Sequence, residues 1–202
     1  MRMNLPNKIT IARILLTIVL IVLLLFPFEK VGISINPLFI NESLVVEVKY
    51  LIAGVLFIIA SLTDFLDGHI ARKRNLVTDF GKMTDAIADK MLVNSVLIIL
   101  ASQGFISAVI PVIIVTRDTV VDVIKMIAGN KGKVVAAIKS GKIKTACMMT
   151  GITLTLFYNL PFELIGHGID IAGVLLLVAT VLSVYSEIQY YSLNKNILFS
   201  EK

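Results

Sequence analysis

Six apolar runs, near residues 8–27, 48–68, 84–102, 105–127, 144–161 and 169–190, occupy most of this 202-residue chain. Each approaches the roughly 20 residues that a helix needs to cross the hydrocarbon core of a bilayer. The composition is 57% hydrophobic and only 16% charged, and a soluble domain of this length has too little interior to hide that much apolar surface. In hydrocarbon every backbone N–H and C=O must be satisfied within its own segment, so the runs are expected to be helices. The expected fold is therefore an all-α integral membrane protein with six transmembrane helices. The first run starts after Lys8, ends at Pro27 and lacks a small-x-small cleavage site, so it reads as a retained span. No nucleic-acid motif, low-complexity tract or internal repeat is visible, and Cys147, the single cysteine, excludes an internal disulfide framework.

The basic residues orient these spans. Of the 19 lysines and arginines, all but Lys30 and Lys49 fall on one side when the loops are taken alternately. They group at the N-terminus, around the turn after the second span, around the turn after the fourth, and in the tail. The excess of Lys and Arg marks the cytoplasmic side, so both termini are expected there. The net charge of +5 suits a protein that works against anionic headgroups or anionic substrates. Within "NLPNKIT", Asn7 is expected to cap the first helix, with Thr10 and Arg13 on one side of it. "SQG", residues 102–104, is expected to join the third and fourth spans directly.

Acids at the cytoplasmic ends of spans two and three are the costly feature. Asp64, Asp67, Gly68, Ala71 and Arg72 share one helical stripe, and Gly81, Asp85 and Asp89 form a second at intervals of four. The eight residues from Lys73 to Phe80 can turn the chain so that the stripes face each other. Four converging carboxylates repel strongly at low dielectric. Cations between them would relieve this, and oxygen-only ligands point to a hard ion such as Mg²⁺ or Mn²⁺. Two ions fit four carboxylates better than one. Gly68 and Gly81 would leave slots for a bulky ligand, and Arg72 is placed to hold a phosphate. Together these residues suggest a metal-bound pyrophosphate. Read singly, the acids also suit the ion or proton site of a transporter, the glycines suit helix packing, and Asp79 and Asp118 suit capping or snorkelling near span ends.

Written out, the stretch is Asp64-x2-Asp67-Gly68-x2-Ala71-Arg72-x8-Gly81-x3-Asp85-x3-Asp89. It matches without a gap the signature of the CDP-alcohol phosphotransferases, integral membrane enzymes of phospholipid synthesis. "PNKITIAR" (6–13), "TRDTVVDVIK" (116–125) and "GKIKT" (141–145) extend the resemblance over most of the chain, toward the members that use sn-glycerol 3-phosphate as acceptor.

The resemblance implies a single membrane domain over 1–202 that uses CDP-diacylglycerol, with its active site at the cytoplasmic side of helices 2 and 3. It implies that Asp64, Asp67 and Asp85 ligate two divalent ions with Asp89 beside them, and that Asp89 is the general base. Gly68, Ala71, Arg72 and Gly81, together with Asn7 and Thr10, would receive CDP-diacylglycerol. Arg117, Lys125, Lys142 and Lys144 would hold the acceptor's phosphate, Lys144 with the least support. A homodimer in a bacterial cytoplasmic membrane is implied by analogy. Two departures stand out: lysine at 125 where arginine is usual, and Thr84-Asp85-Ala86 where Leu-Asp-Pro is commoner. Other expectations remain beside this one: a synthase with a different acceptor (inositol phosphate, serine or another alcohol), a cation- or proton-coupled transporter, or a scaffold.

Overall fold

A computed structural model describes residues 4–33, 36–40, 44–73, 78–133, 135–136, 138–165 and 169–199; the side chains of 40, 44, 65–72, 79–80, 82, 164–165 and 198–199 lie outside that description. The architecture is helical. Helix α1 spans Leu5–Leu25, α2 Val48–Lys73, α3 Asp79–Ser102, α4 Val109–Asn130, α5 Lys139–Leu156 and α6 Ile171–Phe199. Each coincides with one of the expected apolar runs. A small antiparallel ribbon, β1 (Leu38–Ile40) with β2 (Leu44–Val46), lies between α1 and α2 and was not anticipated. Among the described residues, Leu5–Leu25 and Ile171–Ile197 are long and apolar enough to cross a membrane.

Three helix boundaries correct the expectations from sequence. Asn4, not Asn7, caps α1, because Pro6 lies in the first turn, where its fixed φ is already helical and its missing N–H costs nothing. Six residues, not three, separate α3 from α4. Gly104 turns at φ +82°, and α4 starts only at Val109, which leaves Pro111 in the first turn where proline is tolerated. Helix α5 begins at Lys139, ahead of the apolar run, and stops at Leu156.

Helix α1 packs against α2 and α3, while α6 packs along α5 and α4. The core between them is aliphatic and aromatic: Leu20 and Leu24 of α1, Phe57 of α2, Leu92, Leu97 and Leu100 of α3, Ile114 of α4, Ile152 of α5 and Leu176 of α6. Many apolar side chains face outward instead, such as Ile52, Val55 and Ile59 on α2 or Val174, Leu177 and Val181 on α6. A stable soluble surface rarely carries apolar area so continuously.

At Gly151 helix α5 approaches α6 closely. A Cβ there would lie 2.9 Å from Leu176 Cγ and 3.3 Å from the Ala172 carbonyl oxygen. Since a backbone carbonyl cannot swing aside, Gly151→Ala is expected to cost about 1–3 kcal/mol by overpacking. A lowered thermal unfolding midpoint in detergent measures it, and an unchanged midpoint would refute the close contact.

Candidate active site

Helix α1 buries the stripe Pro6, Thr10, Arg13, Thr17, Leu20 and Leu24, spaced three and four apart. Arg13 is thereby carried into the interior between α2 and α3, with its side chain fully buried. Its Nη1 donates to Asp85 Oδ1 at 3.1 Å and Asp89 Oδ1 at 2.7 Å, and forms an ion pair with Asp64 Oδ1 at 2.9 Å. Asp85 and Asp89 sit one turn apart on α3, and Asp64 faces them from α2. One carboxylate oxygen from each of the three lies within 4.8 Å of the others.

Among the described residues, three carboxylates against one guanidinium leave a deficit of positive charge. The acids are 30%, 38% and 40% exposed, so the cluster is reachable from outside while Arg13 closes it from within. The donor set is oxygen only. These observations fit a divalent hard cation held by Asp64, Asp85 and Asp89. Asp67, Gly68, Ala71 and Arg72 lie on the backbone of α2, but their side chains are outside the described residues.

The N-terminus of α3 is fixed by Thr78, whose hydroxyl accepts from the Gly81 N–H at 3.0 Å. Asp79 is thus the first helical residue and not the cap. The Asn7 amide donates to the Thr78 hydroxyl at 3.4 Å. A Cβ at Gly81 would stand 2.7 Å from Asn7 Oδ1. The room that glycine leaves is therefore taken by Asn7 of α1, which corrects the reading of Gly81 as an open slot. The start of α3 faces α1 as well as α2, a contact that spacing along α3 does not encode. Thr10 lies one turn before Arg13, buried, and its hydroxyl donates to the Pro6 carbonyl at 3.2 Å.

A second cluster lies on α4, α5 and α6. Asp118 Oδ1 accepts from Arg117 Nη1 and from Lys144 Nζ, both at 2.9 Å. Arg117 Nη2 also donates to Ser186 Oγ at 2.6 Å. The Arg117 guanidinium and the Lys125 ammonium stand 5.6 and 5.7 Å from the ring centre of Tyr190, within cation–π range. Arg117 Nε is buried and without a hydrogen-bond partner, so it can receive an anionic oxygen.

Lys144, the least supported of the four candidates, proves to be the buried one, and Lys142 is exposed. Two residues apart on α5, they cannot share a face. Asp118, read as a snorkelling or capping acid, is instead the counter-charge that gathers the basic cluster. Lys90, next to Asp89 in sequence, pairs with Asp122 of α4, one turn after Asp118.

Arg13, Asp118, Ser186 and Tyr190 were not named as site residues from sequence. Arg13 left one signal, because a charge inside an apolar run is expensive and requires a partner. Ser183, Ser186 and Tyr190 left a weaker one, a polar stripe at helical spacing on an otherwise apolar α6.

The arrangement is that of a helical protein with a carboxylate triad that fits a cation and a separate buried cluster of basic side chains. Residues 3–185 match the family described as CDP-alcohol phosphatidyltransferase. Among similar proteins are three named CDP-diacylglycerol–glycerol-3-phosphate 3-phosphatidyltransferase. That of Bacillus subtilis is 41% identical over 191 residues, 95% of each chain. That of Mycoplasma pneumoniae is 36% identical over 76% of this chain and 68% of its own. That of Rickettsia typhi is 34% identical over 93% of this chain and 95% of its own. The chain belongs to the CDP-alcohol phosphatidyltransferase family.

Proposed function

We propose that this protein transfers the phosphatidyl group of CDP-diacylglycerol to sn-glycerol 3-phosphate, giving phosphatidylglycerol phosphate and CMP. The observation that carries this reading is the coexistence of the oxygen-only Asp64–Asp85–Asp89 triad with the buried Arg117–Asp118–Lys144 cluster. A phosphorylated acceptor needs such a cationic pocket, whereas an uncharged alcohol does not.

Residues 1–202 would form one membrane domain of six crossing helices, both termini and the active site facing the cytoplasm of a bacterium. The one-sided distribution of Lys and Arg supports that orientation. The outward apolar side chains of α2 and α4 support their crossing beside α1 and α6. A second copy of the chain is expected as partner.

Asp64, Asp67, Asp85 and Asp89 would hold two divalent ions, Mg²⁺ or Mn²⁺. When bound, the ions supply positive charge to the pyrophosphate and to the departing CMP. Asn7, Thr10, Gly68, Ala71 and Arg72 would line the CDP-diacylglycerol site, with Gly81 behind Asn7. Arg117, with its unpartnered Nε, would grip the acceptor phosphate together with Lys125, Lys144 and the more peripheral Lys142. A primary alcohol is a weak nucleophile, so a carboxylate must take its proton as it attacks. Asp89 would accept that proton. The new bond joins the acceptor oxygen to the β-phosphorus, the bond from that phosphorus to the CMP oxygen breaks, and CMP leaves.

Purified protein in detergent with CDP-diacylglycerol, Mg²⁺ and radiolabelled sn-glycerol 3-phosphate is expected to yield labelled lipid and CMP. Chelation with EDTA is expected to abolish both, and added Mg²⁺ or Mn²⁺ to restore them. Turnover with inositol phosphate and none with glycerol 3-phosphate would sink the acceptor assignment.

A further inference from the structure

The geometry points to Arg13 as an internal competitor of the divalent cation, a positioning residue that sets how tightly the acid triad binds metal. The inference rests on the metal-centre reading of Asp64, Asp85 and Asp89. Nη1 of Arg13 engages the Oδ1 atom of all three acids, at 2.9, 3.1 and 2.7 Å. A Mg²⁺ ion binds oxygen at about 2.0–2.1 Å and demands strict geometry. An ion drawing on these oxygens therefore either displaces the guanidinium nitrogen or settles against it with like charge. Both outcomes weaken ion binding.

Arg13 has little freedom to withdraw. Its side chain is fully buried. Thr17 Oγ1 donates to its carbonyl at 2.9 Å one turn further along, and α1 itself is packed against α2 and α3. An ion that displaces the guanidinium must then shift either that group or α1, the helix that also carries Asn7 and Thr10. Without Arg13 the three carboxylates would meet an ion unencumbered, at the expense of mutual repulsion while no ion is bound. Arg13 thus serves two ends: it holds α1, α2 and α3 together, and it keeps the triad from binding cations too tightly.

Mn²⁺ titrations by isothermal calorimetry, on the full chain in detergent micelles, separate this from a merely structural role. Arg13→Gln is expected to bind Mn²⁺ about tenfold more tightly than the native protein, as when one charge-assisted hydrogen bond no longer has to be given up. Its thermal midpoint without added Mn²⁺ should fall, and its rise on adding Mn²⁺ should exceed the native rise. Arg13→Lys keeps the charge on a shorter side chain that reaches less far toward the three oxygens, so its affinity should fall between the two. That variant carries the test if Arg13→Gln does not fold. Mn²⁺ affinity equal to or weaker than native in these variants overturns the competition while leaving the metal centre standing. Native protein that binds no Mn²⁺ overturns both.

Discussion

Asp89→Asn is expected to lower kcat by about 10²–10⁴-fold, the contribution of a positioned general base, while CDP-diacylglycerol binding changes little. The substitution is nearly isosteric. The oxygen that accepts from Arg13 Nη1 at 2.7 Å, the shortest of the three contacts, is retained in the amide. What is lost is the capacity to take a proton. Asp85→Asn offers the contrast, since Asp85 stands in the same cluster and is assigned only to metal. Excess Mn²⁺ should recover much of the activity of Asp85→Asn by mass action and little of that of Asp89→Asn. Steady-state rates over a Mn²⁺ series, with CDP-diacylglycerol binding measured by calorimetry, decide the matter. Full recovery of Asp89→Asn by metal would reduce Asp89 to a ligand.

The helices were legible because each is a long apolar run and hydrocarbon admits little else. Their ends were less legible, because Gly104, Pro111 and Pro6 act on local backbone geometry that hydropathy does not record. The acid triad was legible for a similar reason: Asp64, Asp85 and Asp89 announce themselves by periodicity on two adjacent helices. Arg13 was not, since its role depends on α1 lying against both α2 and α3, a long-range contact that no local spacing encodes. Lys142 and Lys144 show the same limit. Composition makes them equal, and only the rotation of α5 against α4 decides which one meets Asp118.

Gly81 carries this further. Glycine on a helix can admit a ligand or a neighbouring helix, and the two readings are the same in sequence. Here Asn7 fills the space, so the first turn of α1 is held to the first turn of α3 through Thr78. Any movement of α1 on ion binding at Arg13 would reach the CDP-diacylglycerol residues through this contact. On the proposed assignments, helix α1 would couple the acid triad to the residues proposed for CDP-diacylglycerol.

The largest effect on stability is expected at Asp118→Asn. Asp118, Arg117 and Lys144 have side chains only 13%, 9% and 4% exposed, and one carboxylate oxygen serves both cations. Removing the negative charge leaves two buried positive groups facing each other, and breaking a buried pair in this way costs about 3–5 kcal/mol. Lys144→Met should cost less, since the Arg117–Asp118 pair survives. The double variant Asp118→Asn/Lys144→Met should be more stable than Asp118→Asn alone, because an orphaned buried charge is worse than none. Glycerol 3-phosphate gives a further handle. If Arg117 and Lys144 receive the acceptor phosphate, that phosphate replaces the missing counter-charge, and it should raise the midpoint of Asp118→Asn by more than that of the native protein. Thermal unfolding of the four proteins in detergent, with and without glycerol 3-phosphate, measures every term. An Asp118→Asn midpoint equal to the native one would show that the two cations are solvated. Equal protection of both proteins by glycerol 3-phosphate would place its phosphate elsewhere.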